Sequence, residues 1–486
     1  MAGVSKRPDA FFRLSPAANG KLCWFAIRRG DIENRFDVKY FALRETLAST
    51  RYPLKSLGEL VCEEPNYGAG SRAIARTVFG QPRYIRITDF GEDGIEPGHE
   101  YVTADPIEPG CELTEGDLLF ARSGATVGKT YLHEDVSEPA LFAGYCIRFR
   151  FRQSVALPKF IYWFTKTETY ARWVATIQRP AGQPNINKEE FKTVEVPLPG
   201  TAEQTRLIVA METARAERRA KQAEADALLA GLDDYLLATL GLTSPPKDER
   251  KVFGITRSLA ARRFDPQFFH PKHIEIERQL QHACSRDDLS IIGLGELCSK
   301  IVQPAEFIRE YEDAHENAVR FLRASSVRDG HLDLNDHLFV ATEKLERSLQ
   351  SFIDEGNLLV TRTGAKAGSV CAVPALAHKF AVSSHTLRLI IDRTKAVPEF
   401  VELFLISTFG KNQINRLFTG AAQPQLQIKS IQTILVPLPS IQTQHVIANE
   451  ARRRREEASR LRAQAETGWQ AARHWFEEQL LGPASP

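Results

Sequence analysis

The chain is written twice. Residues 113–130 read LTEGDLLFARSGATVGKT, and residues 353–370 read IDEGNLLVTRTGAKAGSV. An offset of 240 aligns Gly116 with Gly356, Arg122 with Arg362, Gly124 with Gly364 and Gly128 with Gly368. The same offset pairs Pro158 with Pro398, Gln183-Pro184 with Gln423-Pro424, VPLP at 196–199 with VPLP at 436–439, and Gln204 with Gln444. Upstream the offset drifts to 237, matching LGEL at 57–60 with 294–297, and then to 228, matching RFDVKYF at 35–41 with RFDPQFF at 263–269. The period far exceeds that of a solenoid, whose units need neighbours to close their cores. The chain is therefore expected to hold two copies of one globular unit, about 35–241 and 263–482, related by a pseudo-twofold.

The repeat decides what the glycine loop is. ARSGATVGKT at 121–130 comes close to the phosphate-binding pattern GxxxxGK[ST]. Its first glycine should stand at 123, where the chain has serine, and Gly124 leaves the loop one peptide short. The second copy has Ser369-Val370 where the first has Lys129-Thr130. What both copies keep is an apolar pair, an arginine and a glycine turn. That reads as a buried strand ending in a turn rather than as a nucleotide site.

Each copy then changes character. Short runs such as YIRI, DLLFA and CIRFRF alternate with turn signals, so the globular part is of mixed α/β (α+β) class. Helices are expected at 158–177 and 398–417, each opening with proline. After each VPLP comes a stretch rich in Ala, Arg, Glu, Gln and Leu, 201–241 and 441–482, where a helix ~60 Å long is expected at 1.5 Å per residue. Thr201 with Gln204 resembles a capping box at the first helix start. Apolar stripes run through Leu228, Leu232, Tyr235 and Leu236 in the first helix, and through Leu461, Ala465, Trp469, Trp475 and Leu480 in the second. The middles carry Ala, Arg or Lys on the same face, so the two helices are expected to pair antiparallel as an intramolecular coiled coil and leave faces for partners. The expected organisation is a first globular domain at 1–200 with an N-terminal extension at 1–34 and a spacer helix at 201–241. A connector at 242–262, containing Pro245-Pro246, leads to a second domain at 263–440 and a second spacer helix at 441–482.

Composition narrows the function classes. Of 486 residues, 43% are hydrophobic and 26% charged, and the formal net charge of +2 gives no global basic field. Seven scattered cysteines without a CxxC pair argue for a reducing compartment and against zinc ribbons or a disulfide framework. MAGVSKRPDAFF lacks the apolar core of a signal peptide, and no apolar run reaches ~20 residues, so a cytoplasmic chain without a membrane span is expected. There is no GxSxG, HExxH or metal-type Cys/His spacing, and neither an Asn-Pro-Pro-aromatic motif nor a glycine-rich cofactor loop of a methyltransferase. His385, in SSHTLRL, is expected to be a packed residue.

Recognition chemistry is better supplied. Arg83, Arg86, Arg122, Ser123, Lys129, Arg179, Gln183, Asn185, Asn187 and Lys188 fall in turns or strand ends of the first copy. Arg320, Arg323, Arg362, Thr363, Lys366, Gln423, Gln425, Gln427 and Lys429 do so in the second. Arginine can fork to guanine, glutamine and asparagine can pair with adenine, and lysine suits phosphates. RPAGQPNINKEEF against TGAAQPQLQIKSI keeps a frame and changes its polar groups, as two modules with different sequence preferences would require.

This arrangement, EGDLLFARSGATVG and EGNLLVTRTGAKAG with the Gln-Pro loops and VPLP before a long helix, resembles the DNA-specificity subunit of type I restriction–modification enzymes. The resemblance spans nearly the whole chain. It implies two target-recognition domains, each reading one half of a split site in double-stranded DNA, with the two helices fixing the gap. It implies docking of modification subunits, two of them, on those helices, for which Leu228, Leu232, Tyr235, Leu461, Trp469 and Trp475 are candidates. It further implies that the chain binds no cofactor and does no chemistry. S-adenosylmethionine would belong to the modification subunits that methylate adenine, and ATP and Mg to a restriction subunit. Two other readings stay open at this level: a non-catalytic coiled-coil adaptor, and a specificity subunit of another DNA-modifying defence system. A degenerate nucleotide hydrolase using Gly124, Lys129 and Thr130 is opposed by the second copy.

Overall fold

The computed structural model describes residues 50–481 apart from 79, 93, 96–101, 135, 178–183, 245–251, 256–265, 284–287, 305, 307–310, 315–317, 342–344 and 419–424. The extension at 1–34, the RFDVKYF stretch and Pro245-Pro246 lie outside the described residues. Two compact units result: one from residues up to Ala220 together with those from Gln464 onward, the other from Lys221–Ala463.

In the first unit, LLFA at Leu118–Ala121 is apolar throughout because both faces of its strand are covered. Alternation along the strand sends Leu118 and Phe120 into one core with Ile147, Phe149, Phe160 and Trp163. Leu119 and Ala121 point the other way, into a core with Tyr84, Phe90 and Phe142. The strand is interior to a four-stranded antiparallel sheet in the order Asn66–Tyr67, Cys146–Phe149, Leu118–Ala121, Thr130–Leu132. Beside it, Arg83–Ile85 and Ala140–Phe142 pair in parallel. The VPLP stretch forms Glu195–Pro197, which closes on Leu54–Ser56.

The second unit repeats this plan. Its antiparallel sheet runs Cys298–Val302, Thr386–Ile391, Leu358–Thr361, Val370–Ala372. Leu358 and Val360 face one core and Leu359 another. The parallel pair, Ala318–Leu322 with Phe380–Val382, is here widened by His337–Ala341 and Tyr311–Glu312. Leu435–Pro439 closes on Leu289–Gly293.

The helices expected at 158–177 and 398–417 are each broken in two: Pro158–Phe164 with Glu168–Ile177, and Pro398–Ile406 with Thr408–Arg416. The reason is a hydroxyl at equivalent positions. Thr167 Oγ1 donates to the Phe164 carbonyl at 2.7 Å and accepts from the Tyr170 amide at 3.3 Å. Ser407 Oγ donates to the Phe404 carbonyl at 2.6 Å and accepts from the Gly410 amide at 3.3 Å. A side chain that satisfies the end of one helix and the start of the next favours the break over continuation.

The long helices span Thr201–Leu240 and Ile441–Leu481. Within the first unit, Leu207 and Met211 are buried in the same core as Trp469, Phe476 and Leu480. Arg206 reaches Gln479 at 3.2 Å and Arg218 reaches Glu466 at 3.4 Å, so these segments run antiparallel. Within the second unit, Ala225, Ala458 and Leu461 form a narrow seam with Leu228 and Leu229 beside it. Arg462 meets Asp226 at 2.6 Å and Arg454 donates to the Gly231 carbonyl at 2.8 Å, again antiparallel. Phe476, at 1% exposure, takes the seam position that the stripe assigned to Trp475. No described helix is long and apolar enough to cross a membrane.

Gln204 does not complete a capping box. It is fully buried, with Nε2 donating to the Val155 and Pro199 carbonyls and Oε1 accepting from the Leu157 amide, each at 2.8 Å. Gln444 repeats the device, donating to the Pro439 carbonyl and accepting from the Val397 amide, both at 2.9 Å. Each glutamine thus ties the root of a long helix to the loop ahead of the proline-led helix.

Candidate nucleic-acid interface

The glycine turn follows directly from the sheet. After Ala121 the chain reverses through Gly124 and Gly128, with φ of +75° and +83°. A Cβ on Gly128 would also lie 2.6 Å from a Val174 methyl, so this position needs glycine twice over. The amides of the turn are committed internally. Val127 donates to the Gly124 carbonyl at 3.1 Å, Gly128 to Ala121 at 2.9 Å, Lys129 to Thr126 at 2.9 Å, and Gly124 to Pro184 at 3.2 Å. The Thr130 hydroxyl is buried against Thr165 at 2.6 Å. A phosphate cradle needs free, convergent amides and a reachable hydroxyl. This turn offers neither.

Instead the turn carries an arginine bracket. The Arg122 amide donates to the Tyr145 carbonyl at 3.0 Å, and the Arg122 carbonyl accepts from the Ile186 amide at 2.8 Å. Its guanidinium lies 4.7 Å over the Tyr67 ring and reaches Asn185 at 3.4 Å. In the second unit the Arg362 amide donates to the His385 carbonyl at 2.7 Å, and its carbonyl accepts from Leu426 at 3.1 Å. The Arg362 side chain donates to the Leu426 carbonyl at 3.2 Å and to Gln425 at 3.3 Å. Isolated bridges join Ser123 with Asn185 and Thr363 with Gln425. In both units, then, the strand end, the loop that follows the Gln-Pro pair in sequence and the turn at 145 or 385 meet at one sheet edge.

The other predicted residues divide sharply. Asn187 is a helix cap: its side chain accepts from the Glu190 amide at 2.9 Å and Glu190 returns the bond. Lys188 pairs with Glu64 at 2.9 Å, and this bond, with one from Lys192, holds the Glu64 carboxyl below the usual range. Arg86 forks onto Asp89, and Arg323 donates one bond to Asp336, whose carboxyl is held low first by that bond. Arg83 begins the parallel strand pair, and Arg320 lies 5.7 Å from the Phe339 ring centre. Asn185, Lys129, Lys366, Gln427 and Lys429 are exposed, and Gln425 is half-buried. Arg179, Gln183 and Gln423 lie outside the described residues.

The candidate docking residues are largely consumed at home. Leu232, Leu461 and Trp469 are 6%, 5% and 1% exposed, each within the core of its own unit. Leu228, Tyr235 and Trp475 are half-buried, the last two under Arg454 and Arg206. Leu232, Leu461 and Trp469 are thus closed to a partner, while Leu228, Tyr235 and Trp475 keep part of their surface. His385 is not packed but exposed, its Nδ1 bonded to Thr363 at 2.7 Å. Tyr67 and Tyr145 belong to the same edge and were not singled out from sequence. The only signal for them was position, next to the arginine bracket in space.

The model of the type I restriction modification DNA specificity domain matches residues 108–221 and 287–449, more than half of the chain. The chain belongs to that family. The two matched segments cover the repeated turns, loops and helix starts of both copies. Among members, the specificity subunit of the type I restriction enzyme EcoKI from Escherichia coli K12 is 24% identical over 353 residues, 71% of this chain and 68% of its own length. The specificity subunit of type I restriction enzyme MjaVIII from Methanocaldococcus jannaschii is 18% identical over 370 residues, 74% and 76% respectively. A chain from a structural study of complex assembly and conformational transition in a type I R-M system shares the fold, with a TM-score of 0.50, 16% identity, and coverage of 88% of this chain and 97% of that one. The family's two-domain, long-helix architecture is thus the architecture seen here.

Proposed function

We propose that this chain gives a type I restriction–modification complex its DNA sequence preference, each globular domain reading one half of a bipartite site. The observation that carries this reading is the doubled sheet edge. Arg122 and Arg362 hold the same loops by the same backbone bonds, while the groups presented there are Tyr145 and Asn185 in one unit, where Ser123 is buried, and Thr363, His385 and Gln425 in the other. One frame with two sets of polar and aromatic groups suits two different half-sites. The long helices fix the gap and dock two modification subunits through their exposed faces. Those subunits bind S-adenosylmethionine and methylate adenine, and a restriction subunit uses ATP and Mg. The chain itself binds no cofactor and is not catalytic, and it works in the cytoplasm. Its net charge of +2 gives little non-specific attraction, so tight binding belongs to the assembled complex.

Methylation-resolved sequencing of host DNA with the chain present and deleted tests this. The expected result is one split adenine motif of fixed gap that loses its mark on deletion. An expressed modification subunit with an unchanged methylome would overturn it.

A further inference from the structure

The sheet edge holds one feature in each unit that the bracket does not explain. In the first, the turn at Ala143-Gly144-Tyr145-Cys146 is fixed from all sides. Gly144 donates to the Ala69 carbonyl at 2.7 Å, Cys146 to Ala143 at 2.8 Å, and the Tyr145 carbonyl accepts from Arg122. A Cβ on Gly68 would lie 2.3 Å from the Phe142 carbonyl oxygen, so the two segments touch backbone to backbone. On this hydrogen-bonded turn the Tyr145 side chain is 64% exposed. Its hydroxyl makes no hydrogen bond among the described residues. It borders a cleft of about 590 Å³ lined by Ser71, Tyr84, Arg86, Thr88 and Gly144.

The second unit holds its 383–386 turn in the same way. Thr386 donates to the Ser383 carbonyl at 3.0 Å and Arg362 to the His385 carbonyl at 2.7 Å. The exposed side chain is now His385, whose Nδ1 is taken by Thr363, leaving Nε2 toward solvent.

Exposing a large aromatic group on a rigid turn stabilises nothing in the folded chain, yet it prepares a contact at low entropic cost. A tyrosine presents a ring face for stacking or for a thymine methyl, and a hydroxyl that both donates and accepts. A histidine with one nitrogen engaged presents the other to a base-edge donor or acceptor. We infer that Tyr145 and His385 are specificity-determining positions, each contacting bases of its own half-site, the arginine beneath acting only to position it. This rests on the bipartite reading proposed above.

The test uses the full complex with its modification subunits and a duplex library randomised at every position of the split motif. Tyr145→Ala is expected to relax discrimination about tenfold at one or two positions of one half-site, leaving the gap and the other half unchanged. His385→Ala should do the same in the opposite half. Tyr145→Phe separates hydroxyl from ring: it should relax only a position read by hydrogen bonding. The unaltered half-site in each variant reports that the complex is intact. If the wild-type complex selects a split motif and the variants select the same one, this inference is overturned while the proposed function stands. Uniform weakening with unchanged preference overturns it equally, by showing positioning alone. If the wild-type complex selects no split motif, both fail.

Discussion

Gln204 and Gln444 carry more of each unit than their surface-type chemistry implies. A buried amide with every bond made is a fixed joint, and its removal strands the groups it served. Gln204→Leu would leave the Leu157 amide and the Val155 and Pro199 carbonyls without that partner. At roughly 1–3 kcal/mol for a buried group left unpaired, a loss of about 3 kcal/mol is expected. Chemical denaturation of the full chain would measure it, and a change below about 1 kcal/mol would show that the joint is replaceable. By contrast, the ion pairs on the helix surface, such as Arg453–Glu450 and Arg460–Glu457, are exposed and add little.

The joint between a long helix and its domain is made again at the scale of elements. Glu477 accepts from the Glu168 and Thr169 amides, at 3.2 and 2.7 Å, at the start of the second short helix of the first unit. In the second unit Asp233 accepts from the Thr408 amide at 3.0 Å and from the Thr408 hydroxyl. In each case a carboxylate borne by a long helix caps a short one, where unpaired amides and the helix dipole favour negative charge. Asp233→Ala should therefore cost about 1 kcal/mol and loosen the start of Thr408–Arg416. Hydrogen exchange would read this as faster exchange in the first turn of that helix, with the first unit unaffected. Protection that stays at the wild-type level would mean that Ser407 suffices as the cap.

At the scale of the whole chain, the proposed ruler gives a length prediction. Both unit boundaries fall inside the long helices, after Ala220 and after Ala463. Seven residues inserted at both points would add about 10.5 Å of helix at 1.5 Å per residue. At 3.4 Å per base pair, the gap in the methylated motif should lengthen by about three base pairs, with both half-site sequences kept. Methylation-resolved sequencing of cells carrying the insertion reads this directly, and an unchanged gap would count against the ruler.

Comparing the chain with itself was enough to establish the two equivalent units, their buried strands, the glycine turns and both long helices. Copy-to-copy identity at Arg122 and Arg362, Gly128 and Gly368, or Gln204 and Gln444 marks positions that the shared frame requires, whatever each half does. The tertiary structure decided which polar groups are left free. Arg122 is bound by a loop 63 residues away, Lys188 by Glu64, Asn187 by its own helix start and Arg86 by Asp89. Hydrogen-bond satisfaction depends on which distant segments meet, and residue type and spacing do not encode that meeting. For the same reason Tyr145, unremarked as a letter in AGYC, and His385, expected from SSHT to be packed, became the exposed groups at the edge only once the sheet had brought their turns beside the arginines.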